Sequence, residues 1–169
     1  MSARQFFRSL LIALLMPFTA IAAHTGKIKS DDAPCLEISC HMQDDGNRFS
    51  GYTIIIYCDN APSDTLTIGK RREVFFTLDY GHQYAIRHIA PGYRDRVVMI
   101  NTSIDENAAK KFSFFDYVIE MVRDDEPANT LNDLPVGLVH FDKKTHRFDY
   151  SRKYEKEVRR QPEYVAGNN

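Results

Sequence analysis

The chain has 169 residues, a formal charge of −1 from 22 Lys and Arg against 23 Asp and Glu, and 12% aromatic residues with no tryptophan. That balance excludes the basic stripe a nucleic-acid surface needs, and the length suits one domain with a real core. No window supplies the ~18 apolar residues of a membrane helix, so no membrane span is expected.

In chain order, residues 1–22 have the layout of a secretory signal peptide. Arg4 and Arg8 form a positive start, Leu10 to Met16 (LLIALLM) an apolar run, and Pro17 a breaker. Ala20-Ile21-Ala22 is a small-x-small cleavage site, and cleavage after Ala23 fits as well. Loss of the two arginines takes the formal charge from −1 to −3. No lipid-acceptor cysteine follows the site, so a freely exported protein is expected, in the bacterial periplasm or outside the cell. Residues 23–34 are polar and aperiodic and are expected to form a flexible tail.

Residues 35–122 alternate in the manner of strands. Leu36 to Met42 is the first, and Gln43-Asp44-Asp45-Gly46-Asn47 has turn chemistry. Tyr52 to Cys58 (YTIIIYC) is a β-branched and aromatic run. Asp59-Asn60-Ala61-Pro62-Ser63 breaks it, and Asp64 to Ile68 is a short strand. Glu73 to Asp79 and Gln83 to Ile89 are joined around Gly81. Val74, Phe76 and Leu78 share one face of the former, and Tyr84, Ile86 and His88 one face of the latter. Arg94 to Ile100 follows a Pro91-Gly92-Tyr93 corner, and Lys111 to Val122 places Phe115, Tyr117, Ile119 and Met121 on one face. Seven short strands at this spacing predict an antiparallel sandwich.

Residues 123–133 form an acidic linker. Within residues 134–161, Leu134 to Phe141 is a strand, Lys143 to His146 a turn, and Arg147 to Asp149 the return. Asp149 or Ser151 is placed to cap a short helix through Arg160. Tyr150, Tyr154 and Val158 give that helix an apolar stripe, expected to pack on the sandwich, with partner binding as the alternative. Residues 162–169 are expected to be a disordered tail. The expected core is Ile54, Ile56, Phe76, Leu78, Tyr84, Ile86, Val97, Met99, Tyr117 and Ile119.

Three cysteines follow the signal segment: Cys35, Cys40 and Cys58. Export permits a disulfide, and an odd count leaves one thiol over. An antiparallel pairing centred on Gly46-Asn47 sets Cys35 opposite Cys58, the candidate bridge. The alternative is three small buried apolar side chains.

Phe76, Leu78, Gly81, Tyr84 and Ile86, followed by Pro91, Gly92 and Tyr93, carry the pattern aromatic-x-Leu-x-x-Gly-x-x-Tyr-x-Ile and then Pro-Gly-Tyr. This resembles the carboxypeptidase-regulatory-like group of transthyretin-like β-sandwich domains, over roughly residues 36 to 122. Gly69 lies upstream of the family's usual glycine, and the family's Pro-Leu-x-Gly-Ala segment is missing. The tail from Pro135 to Tyr150 resembles the ending of small exported bacterial proteins that carry such a domain. The resemblance implies a folding, adhesion or scaffold module without catalytic residues or cofactor.

Chemistry in the residues is sparse. None of the six histidines pairs at HxH or HxxxH spacing, so zinc has no local support, and His82 and His88 are expected to be structural. His24, as a new N-terminus, has amine and imidazole donors for copper. Asp44, Asp45 and Asn47, and Asp59, Asn60 and Asp64, gather oxygens suited to calcium but lack its loop pattern. Turn formation explains both clusters. No nucleophile elbow and no cysteine with an evident histidine partner is present. Lys70-Arg71-Arg72 reads as a solvated basic turn. The purine-pathway hydrolase that shares the transthyretin fold ends in Tyr-Arg-Gly-Ser, unlike Tyr164 to Asn169 here.

The expectation is therefore a mainly β protein: a seven-stranded antiparallel transthyretin-like β-sandwich with a C-terminal β-hairpin and short helix. It is expected to be a non-catalytic module that binds a protein or cell-envelope component, as a monomer or with weak self-association. A small copper- or calcium-binding protein, or an enzyme with a site the residues do not display, is the alternative.

Overall fold

The computed structural model describes residues 34–43, 50–105, 113–125 and 134–160. The expected signal peptide, the tail from 23 to 33, the turn at 44–47, most of the linker and the C-terminal tail lie outside the described residues. Nine strands and one helix form: β1 Cys35–Gln43, β2 Tyr52–Cys58, β3 Ala61–Ile68, β4 Glu73–Asp79, β5 Gln83–Ile89, β6 Arg96–Asn101, β7 Ser113–Glu120, β8 Gly137–Asp142, β9 Arg147–Tyr150 and α1 Arg152–Arg159. The strands make two sheets, a small one in the order β4-β1-β7 and a large one in the order β3-β2-β5-β6-β8-β9. Among the described residues, no helix is long and apolar enough to cross a membrane.

All seven strands read in residues 35–122 are present, but the pairing is not uniformly antiparallel. β1 runs parallel to β7, and β6 parallel to β8. The C-terminal hairpin does not lie on the sandwich as a separate layer. Its first strand hydrogen-bonds to β6 and so extends the large sheet. Its second, β9, sets Tyr150 edge-on to Phe115 of β7, with ring centroids 5.5 Å apart, and so joins the two sheets along one side.

The expected pairing of the first two strands is overturned. A strand has two hydrogen-bonding edges; β4 and β7 occupy those of β1, and β3 and β5 those of β2. Cys35 stands opposite Asp79, while Cys58 stands opposite Ala61 and Tyr84 in the other sheet. The Cys35–Cys58 bridge is therefore absent, and Cys35, Cys40 and Cys58 are free thiols. Only Cys40 is buried.

One apolar core lies between the sheets. Leu36, Ile38, Met42, Leu78, Tyr117 and Ile119 line it from the small sheet, and Ile54, Ile86, Val98, Ile100 and Val139 from the large one. Burying each side chain of this kind contributes ~1.5–3 kcal/mol. Of the expected core, Phe76 is only partly buried, and Val97 and Met99 are on the wrong face. Ile86 stands opposite Val98, and Tyr84 opposite Ile100, so the inward face of β5 selects the other parity of β6.

β3 begins three residues earlier than expected, with Pro62 inside it. β3 is an edge strand, where proline's missing N–H interrupts no ladder, and the register shifts by a bulge at Ile56/Tyr57. α1 is capped by Ser151, whose hydroxyl accepts from the Tyr154 N–H at 3.4 Å. The Tyr154 hydroxyl donates to the Pro135 carbonyl at 2.5 Å, tying the helix to the start of the hairpin.

The expected glycine turn carries the chain from β4 in one sheet to β5 in the other, with Gly81 at φ +89°. Thr102, fully buried, holds that turn. Its hydroxyl donates to the Asp79 carbonyl at 2.8 Å, with the His82 carbonyl 3.0 Å away, and accepts from the His82 N–H at 3.0 Å. At the second corner, the Tyr93 N–H donates to the Ala90 carbonyl at 3.1 Å with Gly92 at φ +79°, a type II turn with proline in its preferred place. A Cβ added at Gly81 meets nothing within 4 Å, so substitution there tests backbone strain alone. Gly81→Val is expected to lower the unfolding free energy by more than ~1 kcal/mol, and Gly81→Asn by less, because Asn tolerates positive φ. Urea denaturation of the two variants measures the difference; equal, negligible losses would contradict the turn described here.

Candidate functional site

Three places gather side chains capable of chemistry or recognition. The first is inside. His88 of β5 is fully buried, and its Nδ1 lies 3.3 Å from the Arg96 carbonyl. A carbonyl only accepts, so Nδ1 carries the proton and Nε2 is left as an acceptor. The single lone pair of Nε2 then accepts from the Tyr117 hydroxyl at 3.2 Å, with the Cys40 thiol beside it at 3.4 Å. This is a cysteine–histidine pair that the sequence does not reveal, its members standing on different sheets. Burial pushes the Cys40 thiol up to about 12 and His88 down to about 4, and it raises Tyr117 as well. No thiolate forms in that setting, and Cys40 is closed to solvent. The cluster bridges the sheets as a neutral hydrogen-bonded group, the structural role expected of His88.

The second place is the β2–β3 hairpin. Asp59 and Asn60 form its two-residue turn with φ of 49° and 68°, as a type I′ turn requires. Asp59 is pinned to the start of β5: its N–H donates to the Gln83 carbonyl at 2.8 Å, and its Oδ1 accepts from the Gln83 N–H at 3.0 Å. Its other oxygen, Oδ2, is 2.7 Å from His82 Nδ1 and 3.9 Å from Cys58 Sγ. The Gln83 N–H, and then His82, hold this carboxyl below the usual range. The donor atoms of Cys58, Asp59 and His82 all lie within 4.8 Å of one another, which makes these three the candidate metal ligands among the described residues. Asp64 does not join them. Its Oδ1 accepts from the Thr65 N–H on its own strand at 2.7 Å, which disperses the oxygen cluster considered for calcium.

The third place is the outer face of the small sheet. Phe75 of β4 and Phe114 and Val118 of β7 are 66%, 56% and 55% exposed. They flank β1, with Phe75 opposite Ser39, Phe114 opposite Glu37 and Val118 opposite His41. The alternating positions around them carry Glu37, Glu73, Asp79, Asp116 and Glu120, and no lysine or arginine. Ser39 at the centre donates to Glu73 at 3.1 Å. Alternation in VFF and FSFF already put these apolar residues opposite the core-facing set; what it lacked was that both strands border β1.

The residues singled out by sequence are shared among these places. Cys58 and Tyr84 stand opposite each other at the hairpin end of the sandwich, and Gly81 is in the adjacent turn. Pro91, Gly92 and Tyr93 form the corner at the other end, where Tyr93 bridges to Arg123. Cys35, opposite Asp79, stands at the end of the small sheet's outer face, beside Glu37 and Asp79.

His88 has a pH consequence. Its folded value of about 4 lies below its ordinary 6.5, so the unfolded chain takes up the proton first. Its contribution is complete above pH 6.5 and is lost as pH falls from there to about 4, amounting to about 3 kcal/mol. His88 is expected to supply about this much of the difference in unfolding free energy between the two ends of that window in the native chain. The difference should shrink strongly in His88→Gln; an equal slope in both would contradict the buried neutral imidazole. No protein-family model matches this chain, and no curated protein matches it.

Proposed function

We propose that the protein is an exported, non-catalytic binding module of the transthyretin-like kind, and that it holds a basic protein segment on the outer face of its small sheet. The observation that carries this reading is the group of Phe75, Phe114 and Val118, exposed among carboxylates. Large exposed apolar side chains ringed by charge are what a recognition surface presents. Charge selects the occupant. A second copy of the same face would set its five carboxylates against five more, with no lysine or arginine at the outward positions of β1, β4 and β7 to offset them. A segment alternating apolar and basic residues satisfies both the aromatic anchors and the acidic surround. The kinship draws support from the Gly81 turn and the Pro91-Gly92-Tyr93 corner, which take the conformations such a domain requires. A non-catalytic role agrees with the chemistry of the core, where the Cys40–His88 pair is neutral and closed.

A synthetic peptide alternating leucine and lysine serves as the probe. Saturable binding is expected, with amide shifts on β4, β1 and β7, and with affinity falling as salt rises. Phe75→Ser combined with Phe114→Ser should weaken it by at least ~10-fold, the scale of losing aromatic anchors. A peptide that fails to bind, or binds the double variant equally well, would overturn the assignment.

A further inference from the structure

We propose that Cys58, Asp59 and His82 form a three-ligand site for a divalent transition-metal ion of the zinc class, with its remaining position open to solvent. The site is separate from the sheet face above and does not rest on it.

The donor set is one thiolate sulfur, one carboxylate oxygen and one imidazole nitrogen. Such a mixture suits zinc and its first-row neighbours, and it is wrong for calcium, which takes six to eight oxygens. Zinc bonds of ~2.0–2.3 Å in a tetrahedron put neighbouring donors about 3.3–3.7 Å apart. The present separations, 2.7 Å from His82 Nδ1 to Asp59 Oδ2 and 3.9 Å from Cys58 Sγ to that oxygen, lie on either side of this range.

The frame holding these donors is stiff. Cys58 and Asp59 are consecutive at a turn with positive φ at both central residues, and the Asp59 N–H is fastened to Gln83. The two oxygens of Asp59 have divided tasks: Oδ1 accepts the Gln83 N–H, which orients the carboxylate, and Oδ2 is directed at the thiol and the imidazole. A backbone partner on the outer oxygen is the arrangement that orients a metal-binding carboxylate. His82 is fixed through its N–H to Thr102, and its ring stands edge-on to Tyr84 at 6.1 Å. The His82 and Asp59 side chains are 42% and 57% exposed, so an ion has access and a water or external donor can complete the shell.

Protons balance as follows. The metal takes the Cys58 thiolate, and the thiol proton leaves to solvent. His82 gives up the Nδ1 proton now shared with Asp59 and carries its hydrogen on Nε2, and Asp59 Oδ2 exchanges that hydrogen bond for the metal. One proton is released per ion bound, so affinity rises with pH.

The test is a titration of the reduced full chain with Co²⁺, followed by Zn²⁺. One equivalent of Co²⁺ is expected to give thiolate-to-cobalt charge-transfer absorption in the near ultraviolet, which Zn²⁺ removes. Cys58→Ser should abolish the absorption, and Cys35→Ser should leave it intact. His82→Gln should weaken Zn²⁺ binding at least as much as the ~10–100-fold typical of losing an outer-shell partner. Circular dichroism of each variant checks that it is folded, and native-chain NMR offers a second measurement, with the His82 imidazole signals shifting on addition of Zn²⁺. Absence of the absorption in the native chain, its survival in folded Cys58→Ser, or unshifted His82 signals would each overturn the site.

Discussion

The inward row of β5, made of Tyr84, Ile86 and His88, is the constraint on which the rest of the structure depends. β2 and β6 flank it, with Ile56 and Val98 on either side of Ile86, and Cys58 and Ile100 on either side of Tyr84. A slip by one residue in either neighbour would turn its whole apolar set to solvent, so burying this row sets the register of the large sheet's centre. Val98 rather than Val97 faces inward for that reason. The parallel addition of β8 then continues the same face, with Val139 beside Ile100.

The same strand links the two sheets at one end and the hairpin cluster at the other. His88 crosses the core to Tyr117 and Cys40 of the small sheet. A buried imidazole is costly unless its nitrogens are partnered, and here both are, which makes the contact directional as well as apolar. At the start of β5, Thr102 holds the crossing turn while Gln83 holds Asp59. Cys58, Asp59 and His82 therefore meet because the β2–β3 hairpin and the β4–β5 crossing arrive at one end of the large sheet.

The contrast between the two cysteine–histidine contacts is instructive. Cys40 and His88 are close in space but sealed, and the low-polarity surroundings keep both neutral. Cys58 and His82 share a carboxylate at a solvent-facing turn, where a released proton has somewhere to go. Proximity alone does not make a site; solvent access and a charge partner decide between a structural hydrogen bond and a set of ligands.

Alternation and turn chemistry were enough to find every described strand and the two glycine corners, and to narrow the helix cap to Asp149 or Ser151, because these are local. β-branched runs such as Tyr52 to Cys58, positive φ at Gly81 and Gly92, and the Ser151 hydroxyl act within a few residues of themselves. Which strands pair is not local. Nothing in Cys35 to Gln43 states that it runs parallel to β7 and away from β2, so the expected disulfide and the placing of the hairpin had to yield to tertiary structure. The same holds for the sites. Asp59 and Asn60 were legible as turn residues, but the convergence of Cys58, Asp59 and His82 rests on a β2–β5 pairing between segments distant in sequence. Local conformational preference is written residue by residue, whereas strand partnership emerges only when all inward faces compete for one core.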